Sequence, residues 1–374
     1  MKTAICAMLG IDFPLIAFTH CADVVVAVTN AGGLGVLGAS GRSPAQLDDD
    51  LAWIDARVAG RPYGVDIVCP ASDTSTTDAA DPARMADSVP DGHRHFVNQF
   101  LKQHDLPFRH EQKDMNNPMR VDHAMGQQLL DVAFRHPIAL VANALGVPPR
   151  TMIDTAHSSG VLVAGLVGTA RHAVEHVAAG VDFVVAQGTE AGGHTGEIST
   201  LVLVPEVIEA LRHTRHVPVI AAGGIVTGRQ MAAAMALGAE GVWTGSVWLT
   251  TAEAETPAAT VSRMLEASST DAVRSRSRTG KPCRQLRSTW TDAWDADASP
   301  PPLPMPFQSL LSEPVLRRVD QLAESDSNAL ACATYFVGQG VGLLRSRRHV
   351  RDVINEMLED FVDAIDGLTA TLTD

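Results

Sequence analysis

The chain is organised by a repeat. Eight short runs that are apolar at almost every position recur along its 374 residues, each closing in Gly, Asn, Pro or Gln, and most lead into an Ala-rich stretch of helical length. They span 14–18, 35–39, 63–68, 138–142, 161–167, 183–186, 217–222 and 241–244. Continuous rather than alternating apolarity marks strands covered on both faces, the pattern of a parallel sheet flanked by helices. Stretches at 23–31, 44–58, 148–159, 170–179, 205–213 and 228–237 carry enough Ala, Leu, Val and Met at three and four spacing to serve as crossovers. Eight such units predict a single (β/α)8 TIM barrel, where length alone would suggest two or three domains.

The spacing is uneven in one place. About 70 residues separate the third and fourth runs, far more than a crossover needs, so 69–136 reads as an insertion. It is rich in Asp, His, Arg and Met, has expected helices at 92–103 and 122–134, and leaves the strand end on which barrel active sites are built. A lid, a subunit contact and a polar surface excursion are all open readings. After the eighth run come a helical stretch at 251–267, an irregular segment, and a proline-dense break at 300–306 that cannot hold a helix. A last amphipathic helix at 348–368 keeps Val350, Val353, Ile354, Met357, Leu358, Phe361, Val362 and Ile365 at helical spacing. The expected organisation is a barrel from 1–68 and 137–267, the insertion, and a C-terminal helical extension, 268–374, completing the outer ring.

Charge narrows the function. With 29 Lys+Arg against 43 Asp+Glu the formal charge is −14, which argues against a nucleic-acid partner. The short basic run Arg274 to Arg287 reads as a solvated loop. No run of 18 nearly uncharged apolar residues offers a membrane span, and the N-terminus lacks a signal-peptide core, so a cytoplasmic location is expected. Five cysteines with no Cys-x-x-Cys pair suit free thiols in a reducing compartment, with neither a disulfide frame nor a metal site.

Two glycine-bearing turns follow adjacent strands: Ala222-Gly223-Gly224 after the seventh and Gly245-Ser246 after the eighth. Main-chain N–H groups of such turns face the space above a barrel, and this pair occupies the usual phosphate position of the fold. The most unusual run is Gln187 to Gly196 after the sixth strand, with four glycines around Gln187, Glu190 and His194. Gln187 can donate to a heterocycle carbonyl. His194 can exchange a proton near neutral pH or donate to a developing anion, and its loop sets it apart from the other thirteen histidines. Glu190 reads as an acceptor bracing the loop.

These residues carry a resemblance. QGTEAGGHTG at 187–196, PVIAAGGIVTGRQMAAAMALGAEGVWTGS at 218–246, NAGGLGVLG at 30–38 and VGQGVG at 337–342 together resemble the nitronate monooxygenase family, also called 2-nitropropane dioxygenase-like. The likeness covers most of the chain and is weak over 69–136 and 274–306. It implies an FMN-binding barrel that oxidises alkyl nitronates, and by extension nitroalkanes, with dioxygen to a carbonyl compound and nitrite. Carried over, His194 matches the catalytic histidine, and Gln187, with Gly192 and Gly193, would lie by the flavin. Ala222, Gly223, Gly224, Gly245 and Ser246 would hold the FMN phosphate, with Gln339 nearby. Ala17, Phe18 and Thr19 would lie against the isoalloxazine.

Two departures bear on substrate. Gly64-Val65-Asp66 stands where many members have Gly-Val-Asn, so Asp66 would either lower the flavin potential or require a protonated or paired acid. The first strand ends Ala17-Phe18-Thr19-His20 without the methionine common there. The alternative of the same fold is an NAD(P)H-dependent flavin enoyl reductase acting on CoA- or carrier-linked substrates. The alternative of another class is a flavin-binding barrel without turnover. An exposed helical insertion leaves a homodimer open.

Overall fold

The computed structural model describes residues 2–69, 85, 87–109 and 123–372. Eight parallel strands close into a barrel: β1 (Leu15–Thr19), β2 (Leu34–Gly38), β3 (Gly64–Asp66), β4 (Leu140–Asn143), β5 (Leu162–Val167), β6 (Phe183–Gln187), β8 (Val219–Ala222) and β9 (Gly241–Thr244). Closure is made by β9 against β1, with Leu15 opposite Val242 and Ala17 opposite Thr244. Each expected strand is present, because Val36, Val65, Val141, Val163, Val184, Ile220 and Val242 are buried with no measurable exposure, as burial on both faces requires. The chain therefore adopts the TIM-barrel fold.

The outer ring begins with α1 (Ala4–Leu9), α2 (Ala22–Ala31) and α3 (Pro44–Asp55), the last started by a Ser43–Gln46 capping box. The insertion contributes α4 (Asp91–Gln103) and α5 (His123–Ala133). Next come α6 (Arg150–Ser158), α7 (Ala170–Ala179), α8 (Thr200–Leu211) and α9 (Gly228–Ala236). α8 starts earlier than the expected 205, since Ser199 takes the N-cap and Pro205 is carried inside the helix. Conversely the helix expected from 251 is shorter, α10 (Ala258–Glu266), because Pro257 sits at its N-cap and disfavours helix in the residue before it.

The largest correction concerns the basic run at 274–287. It is no solvated loop. β10 (Ala272–Ser275) and β11 (Cys283–Leu286) form an antiparallel hairpin, and β11 also pairs with a two-residue strand, β7 (Gly193–His194), in the loop after β6. Arg284 is 8% exposed, with Nε donating to the Thr189 carbonyl at 2.8 Å. Arg276 and Arg287 remain outside. So short a pairing leaves no periodic trace, because its partner lies about 90 residues away in sequence.

Past the hairpin lie α11 (Thr289–Asp295), α12 (Phe307–Leu322), α13 (Ser327–Cys332) and α14 (Val350–Ala370). α14 packs on α9 and α2 and so covers the barrel wall. The others build a second core with the insertion: Val97, Phe100 and Leu101 of α4 bury against Trp290, Trp294, Leu311, Val315 and Leu316. Phe100 meets Trp290 edge-on at 5.3 Å and Phe96 meets Trp294 at 4.8 Å. The stretch after 268 thus does more than complete the ring, and of the insertion, residues 70–84, 86 and 110–122 lie outside the described residues.

α9 approaches α14 at Gly228, where a Cβ would sit 1.9 Å from the Met357 carbonyl oxygen. Main chain cannot swing aside as a flexible side chain can. Gly228→Ala is expected to lower unfolding free energy by about 1–3 kcal/mol. Urea unfolding checks this, and unchanged stability would mean that the helices part freely.

Candidate active site

The carboxyl ends of the strands gather the chemistry-bearing residues. Gln187 closes β6, and its Nε2 donates to the His194 carbonyl at 3.0 Å, folding the glycine loop back over the strand. His194 pairs with Cys283 in the β7–β11 ladder, in the loop that follows the carboxyl end of β6. Nε2 lies 2.8 Å from Thr279 Oγ1, and the ring stands 6.1 Å from that of Phe336. The residue is exposed, yet the packing around its ring removes water from it. That desolvation, with the positive charges of Lys281 and Arg278, holds its pKa below the ordinary histidine value.

Glu190 is a brace, as its loop suggests. Its carboxylate accepts from the Thr200 N–H and hydroxyl, both at 2.9 Å, tying the β6 loop to the start of α8. The glycines allow a second crossing: a Cβ on Gly192 would meet the Gly338 nitrogen at 2.9 Å, and one on Gly338 the Gly192 nitrogen at 3.0 Å. There the Gln339 N–H donates to the Glu190 carbonyl at 2.9 Å. Gly338 N–H donates to Ser246 Oγ at 2.8 Å, so the hydroxyl hydrogen of Ser246 is left to donate elsewhere.

The two turns have the geometry an anion would need. Gly223 and Gly224 have φ of 110° and 73°, conformations open to glycine. Gln230 fixes the exit by accepting from the Val226 and Thr227 N–H groups and donating to the Gly224 carbonyl. The N–H groups of Gly224 and Gly245 find no acceptor among the described residues, while that of Gly223 lies at the end of the β8–β9 ladder. At Gly245 the nearest atom to a Cβ would be the Phe18 carbonyl at 4.0 Å, so open space rather than protein packing lies over that turn. Ala222 is buried beneath them. Unpaired amides, a free hydroxyl and open space at two neighbouring strand ends fit a phosphate.

The ends of β1 and β3 are less connected to this network. Ala17 is fully buried and apolar, and Thr19 Oγ1 accepts from the Cys21 N–H at 3.1 Å, which ties that hydroxyl to the turn after β1. Phe18 stacks on Trp243 with ring centroids 6.3 Å apart and meets His20 edge-on at 5.2 Å. His20 escaped the sequence reading. Its Nδ1 donates to the Gly38 carbonyl at 2.9 Å, an atom that can only accept, which leaves the Nε2 lone pair exposed at the strand end. Asn143 was missed too: it clamps the exit of β3, accepting from the Cys69 N–H at 3.0 Å and donating to the Cys69 carbonyl at 3.2 Å. A lone His and a lone Asn carry no spacing signal, and both roles come from carbonyls of other strands.

Asp66 is 4% exposed and its carboxyl bonds to no described residue. Burial raises its pKa to about 7. Of the two possibilities the residue type left open, the structure thus favours a partly protonated acid over a permanent carboxylate.

The nitronate monooxygenase family model matches residues 2–360. The chain belongs to that family. It is an enzyme, a flavin-dependent oxidoreductase with the family's barrel. A Mycobacterium tuberculosis protein assigned as a monooxygenase is 50% identical over 372 residues, covering 98% of each chain. Among solved structures, a nitroalkane oxidase from Streptomyces ansochromogenes superposes with a TM-score of 0.80 at 23% identity, covering 98% of this chain and all of that one. FabK of Thermotoga maritima gives 0.73 at 25% identity, with 99% of both chains covered.

Asp66 makes stability depend on pH. Its folded pKa of about 7 exceeds the ordinary aspartate value of 3.8, so the folded state holds the proton more tightly and loses stability as pH rises between the two values. The loss is on the order of 4 kcal/mol once both states are ionised. In the flavin-free protein, Asp66→Asn is expected to match the parent in urea unfolding near the lower value and to exceed it above the higher. A constant difference across that range would show the carboxyl to be solvated.

Proposed function

We propose that this family member binds FMN and uses dioxygen to convert small alkyl nitronates to a carbonyl compound and nitrite, taking nitroalkanes as well when His194 removes the α-proton. One observation carries the reading: a histidine with a free ring nitrogen is tied, through Glu190, Gly338 and Ser246, to a pair of turns whose unpaired N–H groups suit a phosphate. Gly223, Gly224, Gly245 and Ser246 would hold the FMN phosphate above Ala222. Gln187, Gly192, Gly193 and Gln339 would border the flavin from one side, and Ala17, Phe18, Thr19 and Asp66 from the strand-one and strand-three ends. FMN, when bound, supplies the electron-accepting chemistry and the reaction with dioxygen.

The chain's own residues do the rest. A nitronate is already an anion with carbanion character, so the protein mainly orients it and keeps water away. Lys281 is exposed, forms no ion pair with a described residue, and adds positive charge beside His194 that favours an anionic substrate. Phe18, Trp243 and Phe336 give the mouth apolar surface. For a neutral nitroalkane, His194 accepts the α-proton, and its lowered pKa keeps the imidazole unprotonated and ready near neutrality.

Anaerobic addition of a small alkyl nitronate is expected to bleach the oxidised flavin band of the purified holoprotein, and NAD(P)H is expected to leave it unchanged. Bleaching by NAD(P)H alone would replace this reading with an enoyl-type reductase. No bleaching with any donor would favour a binding protein without turnover.

His194→Ala should retain FMN and lose about 10²-fold or more in kcat/KM on neutral nitroalkanes, with preformed nitronates much less affected. In the parent, the rising limb of that kcat/KM should lie below pH 6.5, the unshifted histidine value. Equal losses on both substrates would remove the base role.

A further inference from the structure

The β10–β11 hairpin belongs to no barrel unit, yet its tip touches the imidazole to which the chemistry is assigned. The tip is pinned from behind by α12. Arg278, its side chain 15% exposed, forms a two-pronged pair with Glu313, with Nε and Nη2 at 2.8 and 3.2 Å from the carboxylate oxygens. The Ser312 hydroxyl donates to the Arg278 carbonyl, and Gln308 Nε2 donates to the Ser277 carbonyl at 2.7 Å. The Arg278 guanidinium also lies 4.5 Å over the ring of Phe336, which packs against His194.

This framework places Thr279, which is buried, on His194. Thr279 Oγ1 lies 2.8 Å from His194 Nε2 and 3.3 Å from both the nitrogen and the carbonyl oxygen of Lys281. A main-chain N–H can only donate, a carbonyl can only accept, and a hydroxyl has one hydrogen and two lone pairs. The Cys283 thiol also contacts this hydroxyl, but its hydrogen goes to the Ser275 carbonyl at 3.4 Å, and one arrangement then uses all the groups that remain. The hydroxyl hydrogen goes to the Lys281 carbonyl, and the two lone pairs receive the Lys281 N–H and a His194 Nε2–H. Reversing the His194 bond would leave one lone pair empty and withdraw the hydroxyl from the Lys281 carbonyl.

We propose, resting on the nitronate-oxidising reading above, that Thr279 is a positioning residue that holds His194 in its Nε2–H tautomer, so that Nδ1 accepts the substrate proton. Nδ1 makes no hydrogen bond to any described residue. In the step itself the α-proton moves from carbon to Nδ1, and the C–H electron pair passes to the nitro group, giving the nitronate and an imidazolium. The Nε2–H bond to Thr279 persists through that change, so Thr279 need not reorient.

The test compares Thr279→Val, which removes the hydroxyl at constant volume, with Thr279→Ser, which keeps it. In protein labelled with ¹⁵N-histidine, with His194→Gln providing the assignment, parent and Thr279→Ser should show a pyrrole-type Nε2 and a pyridine-type Nδ1 at high pH. Thr279→Val should show a mixture of tautomers. On a neutral nitroalkane, kcat of Thr279→Val should fall about tenfold or more, with KM and turnover of preformed nitronate little changed. A protonated Nδ1 in the parent, or the parent tautomer retained in Thr279→Val, would overturn the proposal. The parent spectrum decides even if Thr279→Val does not fold. If the parent oxidises neither substrate, the activity reading fails, and the spectra still decide what Thr279 does to the ring.

Discussion

The register of β9 against β1, with Leu15 facing Val242 and Ala17 facing Thr244, turns an eight-stranded parallel sheet into a closed surface with no free edge. Everything else depends on that closure. Parallel strands all end on the same rim, so the turn after β8, the turn after β9 and the glycine loop after β6 become neighbours although up to 59 positions separate Gln187 from Ser246. The strands spend their side chains on burial, which leaves the rim to be built from main-chain N–H groups and a few polar residues at the strand ends. A phosphate suits the first kind of group and a proton transfer the second.

A second layer completes the rim from above. The insertion helix α4 and the late helices α11 and α12 share an apolar core of their own, centred on Phe100, Trp290 and Leu316. Its part in the site is indirect. α12 supplies Glu313, which pairs with Arg278, and the pair sets the tip of the β10–β11 hairpin against His194 and Phe336. Removing one partner from such a buried pair costs far more than the pair contributes relative to apolar replacements, so the contact serves position more than stability. The barrel rim therefore offers main-chain donors, and the layer above it helps to orient an imidazole.

Burial is the common electrostatic cause at the rim. It lowers His20 and His194 and raises Asp66, and in each case it favours the neutral form. The overall charge of −14 says little about this place, where Arg278 and Lys281 are the cations nearest the histidine. Glu313, the carboxylate that acts on the histidine, is paired with Arg278, so the charge left unpaired beside His194 is that of Lys281.

The strands and the crossovers of the barrel were legible because each is a local pattern: unbroken apolar runs, helical spacing, and glycines where a turn follows a strand. The phosphate turns and the prominence of His194 came from the same kind of signal. The Arg274 to Arg287 run misled, since charge in sequence looks solvated and only the fold shows that Arg278 meets Glu313 and Arg284 meets the Thr189 carbonyl. His20, Asn143 and Thr279 left no trace because their partners are carbonyls and ring nitrogens of distant segments. Sequence by itself determined the barrel, its insertion and the turns suited to a phosphate, since short-range periodicity encodes them. Only the tertiary structure decided which side chains meet above the barrel, because those contacts join residues far apart, Thr279 and His194 across 85 positions and Phe336 and His194 across 142, and no local pattern records them.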